Sequence, residues 1–90
     1  MSIENYLNHP TFGLLFRVCL VNENQELFAT LYAQRLFFIV SSGKPKGITF
    51  EPISRNDARM MLEGRLRLLR RAGQSDDYKR LQHTYQQTFQ

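Results

Sequence analysis

The feature that most constrains the fold is the stretch of residues 26–40, the most apolar and aromatic run in the sequence. Successive side chains of a β-strand point to opposite faces, so residues 26–34 divide into two rows. One row is small and aliphatic, as expected of a side that faces a core, and holds Leu27, Ala29, Leu31 and Ala33. The other row is predicted to point outward, and consists of Phe28, Thr30, Tyr32 and Gln34. Core packing alone does not account for that outward row.

Beyond Gln34 and Arg35, the run continues through residues 36–40 with no polar position on either face. A strand that is apolar on both faces is either enclosed by the fold or covered by a partner. Both alternatives stay open at the level of the sequence.

The first 53 residues predict a small antiparallel sheet. Strands are predicted over residues 12–21, 26–34, 35–41 and 48–53, with a polar loop at 22–25 and a Gly- and Pro-containing loop at 42–47. Residues 1–10 favour turns, although Tyr6 and Leu7 could attach them to the sheet. We interpret the polar pair Gln34 and Arg35 as a sharp bend between two strands. Four or five short strands in this length indicate a strongly bent sheet or barrel.

Two helices are predicted after the sheet. Ser54 is a suitable N-cap, and apolar residues then recur at spacings of three and four, namely Ala58, Met61, Leu62, Leu66 and Leu69. Gly73 is predicted to end this helix, and Ser75 to cap a second one that carries Asp76 and Asp77 in its first turn. The predicted fold class is therefore α+β, with a β domain over residues 1–53 and a helical hairpin over residues 54–90.

The excess of basic over acidic side chains lies entirely in the helical part. The chain has a formal net charge of +4, and residues 1–53 contribute four basic and four acidic side chains. Residues 54–90 contribute eight basic and four acidic side chains, so the whole excess lies there. An ion pair between Arg65 and the acidic residues that begin the second helix is predicted. The arginines on the helix surface could be solvated, contact nucleic-acid backbone, or dock on an acidic protein surface.

No arrangement typical of an enzyme or a metal site is visible. His9 and His83 stand apart from paired carboxylates, and the single cysteine, Cys19, lies in an apolar run where a buried, inert thiol is expected. We expect a protein that is not an enzyme and that binds no cofactor and no metal. With no transmembrane run, no signal-peptide pattern and one cysteine, we also expect a cytoplasmic protein without membrane contact.

The aromatic side chains of the sheet are too many for so small a core, and the surplus could stack bases or anchor a protein interface. The sheet carries no net positive charge, which favours protein contact. The alternative is a small barrel protein that binds RNA or DNA directly through its arginine-rich helix.

Several segments resemble the PipX family, the PII-interacting coactivators of cyanobacteria. The most specific is residues 26–38, with the sequence ELFATLYAQRLFF, and residues 5–15 and 50–53 read NYLNHPTFGLL and FEPI. In the helices, residues 55–56, 58–60, 65–67 and 69–71 fit as well. The sequence departs from the family mainly around residues 21–25, around residues 41–47 and in the segment that joins the helices.

The resemblance implies a Tudor-like (KOW-like) sheet followed by two helices. It implies that one face of the sheet binds the dimeric nitrogen regulator NtcA, as a transcription coactivator, when 2-oxoglutarate is abundant. It implies also that, when 2-oxoglutarate is low, the T-loops of the PII trimer would sequester the protein on largely the same face. Nucleic acid would be reached only through NtcA.

The residues expected to bind these partners are Tyr32, Gln34 and Arg35 first, then Leu36, Phe38, Tyr6, Glu4, Phe12 and Phe28. A further partner, RNA polymerase or another regulator, is expected on the helix surface that carries Arg59, Arg67, Arg70 and Arg71.

Overall fold

The computed structural model describes residues 6–30, 36–43 and 47–89, and within them the chain forms five strands followed by two helices. The strands are β1 (Tyr6–His9), β2 (Gly13–Asn22), β3 (Gln25–Thr30), β4 (Phe37–Gly43) and β5 (Gly47–Ile53). The helices are α1 (Arg55–Arg71) and α2 (Ser75–Phe89). Each strand pairs antiparallel with the next one in the chain. The predicted α+β fold, a bent antiparallel sheet with two C-terminal helices, is confirmed.

The first strand was not predicted, because residues 1–10 contain Asn5, Asn8 and Pro10, which favour turns. Strand β1 pairs with β2, with Tyr6 opposite Phe16 and His9 opposite Gly13. The predicted bend at Gln34 and Arg35 lies outside the described residues.

One face of the sheet packs against both helices, and we call the buried residues of this layer the helix-covered core. It contains Val18, Cys19, Leu27, Ala29, Phe37, Ile39, Ala58, Leu62, Leu66, Leu69 and Leu81. Helix α1 contributes four of the five residues of its predicted apolar stripe to this core. The fifth, Met61, is only partly buried and packs against the core, and α2 contributes Leu81. The helices thus cover the face on which Leu27 and Ala29 lie, as the alternation predicts.

The opposite face of the sheet has a core of its own, which we call the barrel core. Leu15, Phe28, Phe38 and Val40 are buried there, with Leu7 and Phe50 packed against them. The sheet curls so far that the His9 ring on β1 and the Phe50 ring on β5 approach to 4.9 Å between centroids. The expectation that Phe28 points outward is therefore wrong, since its side chain is fully buried. The alternation is right, but the face opposite the helices is the concave inside of the curled sheet.

The apolar strand β4 is enclosed by the fold itself. Its side chains alternate between the two cores, with Phe37 and Ile39 in the helix-covered core and Phe38 and Val40 in the barrel core. Of the two alternatives for residues 36–40, enclosure holds for residues 37–40, whereas Leu36 is exposed.

Standard capping geometry ends helix α1 at both termini. The Asp57 N–H donates to Ser54 Oγ at 3.0 Å, which confirms the predicted N-cap. At the other end, the Gly73 N–H donates to Arg70 O and the Gln74 N–H donates to Leu69 O, at 3.1 and 3.0 Å. This is a Schellman motif, which requires the left-handed backbone that Gly73 adopts, with φ of 74°.

The two helices run antiparallel, as predicted. Tyr78 contacts Arg70, Tyr85 contacts Glu63 and Phe89 contacts Arg55, so the contacts recede along α1 as they advance along α2. Helix α2 begins at Ser75 itself, one residue earlier than an N-cap at that position implies. The predicted ion pair of Arg65 is wrong: Asp77 pairs with Arg80, and within residues 6–30, 36–43 and 47–89 no ion pair involves Arg65.

Candidate partner-binding surface

Three of the predicted contact residues are exposed. Phe12 lies in the β1–β2 turn with 41 % of its surface exposed, Leu36 directly precedes β4 with 44 % exposed, and Tyr6 begins β1 with 54 % exposed. Large apolar side chains that remain this exposed are candidates for contact with another protein.

His9 holds the turn that presents Phe12, a role that the sequence analysis missed. The backbone N–H groups of Thr11 and Phe12 both donate to His9 Nδ1, at 3.0 and 3.2 Å. The His9 ring also contacts the Phe12 ring, at 5.0 Å between centroids. The sequence signal was His9 followed directly by Pro10. A side-chain acceptor before a proline can accept hydrogen bonds from the backbone N–H groups two and three residues later, which is typical of a turn stabilised by a side chain.

Phe38 and Phe28 lie beneath this surface. Phe38 is 2 % exposed, and its ring packs against those of His9 and Phe12 at 5.1 and 5.5 Å. Phe28 is buried deeper in the same core. In this conformation Phe38 supports the exposed Phe12 from below and Phe28 is enclosed in the core, so a direct role in partner contact stays a prediction for both.

The segment that carries Tyr32, Gln34 and Arg35 lies outside the described residues, and so does Glu4. The structure describes the two residues that flank this segment in the chain, Thr30 and Leu36. The Thr30 N–H donates to Leu36 O at 3.0 Å, and the Leu36 N–H donates to Thr30 Oγ1 at 2.9 Å. Thr30 is buried and pairs with Leu15 on β2. The two described residues that flank positions 31–35 are therefore joined directly to each other, and Leu36 is exposed.

Tyr6 and Phe12 belong to different faces of the sheet. Tyr6 is opposite Phe16, which is opposite Ala29, so Tyr6 shares the face of the helix-covered core. The ring contact with Phe38 places Phe12 on the concave face. Because β1 is an edge strand, a partner that reaches around this edge could contact both.

Comparison with protein-family models decides the family. The model described as PipX, PII-interacting protein X, matches residues 3–89. The chain belongs to the PipX family. A search among curated proteins found no match.

Family membership confirms the resemblance seen in the sequence and indicates the PII protein as a partner. The family is one of regulatory proteins that act through protein–protein interaction, not a known family of enzymes. The contact residues on the sheet stay predictions.

The arginines predicted to form the helix surface fall into two groups. Arg59 donates to Asn56 Oδ1 at 2.8 Å, and Arg70 donates to the Tyr78 hydroxyl at 3.0 Å, a bond that raises the pKa of Arg70. Arg67 and Arg71 are exposed and, within the residues that the structure describes, make no ion pair or side-chain hydrogen bond. Met60 and Leu68 are exposed as well. Met60 lies seven residues before Arg67, about two helical turns, and Leu68 lies three residues before Arg71, so these four residues share one face of α1.

The Cys19 thiol is not activated. Burial raises its pKa from 9.0 to about 12, and the nearby charges of Arg65 and Arg17 only partly oppose this. Among the described residues, no group of three or more His, Cys, Asp or Glu side chains could hold a metal ion. In the same part of the chain, neither helix is long and apolar enough to span a bilayer.

Proposed function

We propose that this protein is a non-enzymatic adaptor and transcriptional coactivator in the cytoplasm that exchanges between two partners. It binds NtcA when 2-oxoglutarate is abundant, and the PII trimer sequesters it through the T-loops when 2-oxoglutarate is low. The effectors bind the partners, not this chain. Family membership supports PII as one partner, and the resemblance of residues 26–38 supports the exchange.

The observation that carries the proposal is the exposure of Leu36, which directly follows residues 31–35 in the chain and is hydrogen-bonded to Thr30. Together with exposed Phe12, it offers the apolar anchors typical of an interface. Tyr32 adds an amphipathic anchor, Gln34 a polar contact, and Arg35 a forked donor suited to carboxylate or carbonyl oxygens. Leu36, Phe12, Tyr6 and Glu4 extend the surface.

Substitution at the segment tests the site. We predict that Tyr32→Ala or Arg35→Ala weakens binding of both PII and NtcA by about 1–3 kcal/mol. The reason is that a few central anchor residues contribute most of the binding free energy of an interface. Isothermal titration calorimetry gives the affinities, and circular dichroism is expected to show a nearly unchanged thermal midpoint. Ile48→Ala is the control, since Ile48 is an exposed apolar residue that lies opposite Ser42, at the other end of β4 from Leu36. Parental affinity of a folded Tyr32→Ala or Arg35→Ala variant would refute the site.

Competition tests the exchange. If the two partners use the same surface, PII added to a preformed NtcA complex displaces NtcA, and the displacement weakens as 2-oxoglutarate rises. A stable ternary complex in size-exclusion chromatography would show separate surfaces instead.

We also propose that the α1 face with Met60, Arg67, Leu68 and Arg71 contacts a further partner, RNA polymerase or another regulator. The exposed apolar pair and the two arginines without a partner among the described residues support an acidic protein surface as the target. The double variant Arg67→Gln/Arg71→Gln is expected to reduce transcription activation while it leaves PII affinity unchanged. Tight, strongly salt-dependent binding of bare DNA or RNA that this variant loses would favour direct nucleic-acid binding.

A further inference from the structure

The β1–β2 turn carries an exposed aromatic ring on a very short connection. Three residues, at positions 10–12, join His9 to Gly13, and these two residues lie opposite each other in the sheet. All three turn residues are exposed, among them Phe12 with 41 % of its surface. A short exposed turn depends on local hydrogen bonds for its conformation, so these hydrogen bonds determine where the Phe12 ring lies.

The hydrogen bonds of the turn converge on one atom. The backbone N–H groups of Thr11 and Phe12 both donate to His9 Nδ1, at 3.0 and 3.2 Å. Within the described residues, neither of these N–H groups donates to a backbone carbonyl. A ring nitrogen that accepts hydrogen bonds carries no proton, so the ring is neutral and its proton is on Nε2. A second proton would occupy Nδ1 and remove both hydrogen bonds.

The ring of His9 has a second role, which can be separated from the first. It packs against Phe38 on β4 and Phe50 on β5, at 5.1 and 4.9 Å between centroids, and so closes the curled sheet. The side chains that contact the ring from the turn, β4 and β5 are those of Phe12, Phe38 and Phe50, and none of them is charged or titratable. An aromatic ring without an acceptor would keep this packing, whereas a short acceptor without a ring would keep the turn.

We propose, on the basis of the proposed contact between Phe12 and PII, that His9 is a positioning residue of the partner-binding surface. Its unprotonated Nδ1 fixes the backbone at Phe12, and the Phe38 ring supports the Phe12 side chain at 5.5 Å between centroids. An anchor that is already held in its bound conformation loses less entropy on binding and therefore binds more tightly. Tight binding thus requires the neutral form of His9, and it weakens as pH falls through the range in which histidine gains charge, about pH 8 to 5.

A double-mutant cycle tests whether His9 acts through Phe12. The affinity of the full chain for PII is measured by isothermal titration calorimetry at about pH 8 without 2-oxoglutarate. Phe12→Ala is expected to weaken binding about fivefold or more. His9→Phe keeps a ring but lacks the acceptor, and is expected to weaken binding by a smaller factor. The double variant His9→Phe/Phe12→Ala is expected to bind like Phe12→Ala, because no ring is left for His9 to position.

His9→Asn is the matched variant. Its side-chain amide oxygen can accept hydrogen bonds from the N–H groups two and three residues later, but it lacks the ring that contacts Phe50. Its thermal midpoint is expected to fall, while its affinity for PII stays within about twofold of the parent. His9→Phe is expected to show the opposite combination. Between about pH 8 and pH 5.5 the parent is expected to lose more affinity than His9→Asn, whose residue 9 does not titrate, and titration of PII affects both equally.

Amide hydrogen exchange at Thr11 and Phe12 reports on the turn without a partner. Protection is expected in the parent and in His9→Asn, and its loss in His9→Phe. The proposal fails if the effects of His9→Phe and Phe12→Ala on affinity add, if affinity follows the thermal midpoint across the variants, or if the parent and His9→Asn share one pH profile. It also fails if Phe12→Ala binds PII like the parent, although weaker binding by Tyr32→Ala would then still support the proposed site. If His9→Phe does not fold, His9→Leu provides an apolar side chain without an acceptor.

Discussion

The two faces of the sheet are buried by different means. The barrel core is closed by the sheet's own curvature, which brings His9 on β1 against Phe50 on β5. The helix-covered core depends on α1 and α2, which follow the sheet in the chain and contribute five of its eleven buried residues. We therefore expect the sheet to keep the barrel core when the cover of the other face changes. The exposed Phe12 packs on Phe38 of the barrel core, which supports it from below.

The largest expected effect separates the two cores. Phe28→Ala is expected to lower the free energy of unfolding by about 3–5 kcal/mol, because it leaves a large cavity inside the curled sheet. Leu81→Ala, at the margin of the helix-covered core, is expected to cost about 2 kcal/mol. Urea denaturation measures both, and Phe28→Leu replaces Phe28→Ala if that variant does not fold.

Hydrogen exchange shows where each change acts. Leu81→Ala is expected to increase exchange in α2 and to leave the β3 amides protected, since the barrel core does not need α2. Equal increases in β3 and α2 would mean that the two cores unfold as one unit.

Alkaline pH is expected to act on the helix-covered core. Cys19 has a pKa of about 12 in the folded chain, against 9.0 unperturbed, so above pH 9 the unfolded chain loses a proton that the folded chain keeps. The contribution of this thiol to the free energy of unfolding is fully present below pH 9. Between pH 9 and about pH 12 it is lost, and the free energy of unfolding falls by up to about 1.4 kcal/mol per pH unit.

Cys19→Ala lacks this group and provides the control. At pH 11, the parent is expected to have lost about 2–3 kcal/mol more than the variant, each measured against its own stability at pH 8. Parallel pH profiles from urea denaturation would show that the thiol is not buried in solution.

Two glycines of the helical hairpin give the smallest effects, with opposite signs. Gly73 adopts the left-handed backbone of the Schellman motif, so Gly73→Ala is expected to cost about 1–2 kcal/mol. Gly64 is inside α1, where an added Cβ would meet only Arg67 Nη2 at 3.7 Å, an ordinary contact. Gly64→Ala is expected to stabilise by up to about 1 kcal/mol through helix propensity. The two thermal midpoints should therefore move in opposite directions, and a shift in the same direction contradicts this account.

The strand alternation, the capping residues and the family were all readable from the sequence. Ser54, Gly73 and the apolar stripe of α1 act locally, within a turn or two of helix, so their signals survive without tertiary context. The alternation also placed Leu27 and Ala29 correctly on the face of the helices. What it could not give is curvature, and Phe28 was therefore expected on an outer surface that the curl turns into a core.

The site was only partly readable. Exposed Tyr6, Phe12 and Leu36 were named, because surplus aromatic and apolar residues have no place in so small a core. His9 was missed because its role depends on backbone N–H groups of a turn that the sequence does not display. The sequence also could not predict that Asp77 pairs with Arg80 and not with Arg65. Two arginines are available for one carboxylate, and only their positions in space decide between them.

The strand order follows the chain order throughout the sheet, and this has a consequence for folding kinetics. Every strand pairs with its neighbour in sequence, so the sheet forms by closing short loops, which is fast. The contact of His9 with Phe50 spans about forty residues and requires all five strands first. We expect the hairpins to be largely formed in the folding transition state and the edge-to-edge closure to follow it. The part of the destabilisation of His9→Ala that comes from the lost contact with Phe50 would then appear as faster unfolding, whereas the part that comes from the β1–β2 turn would slow folding.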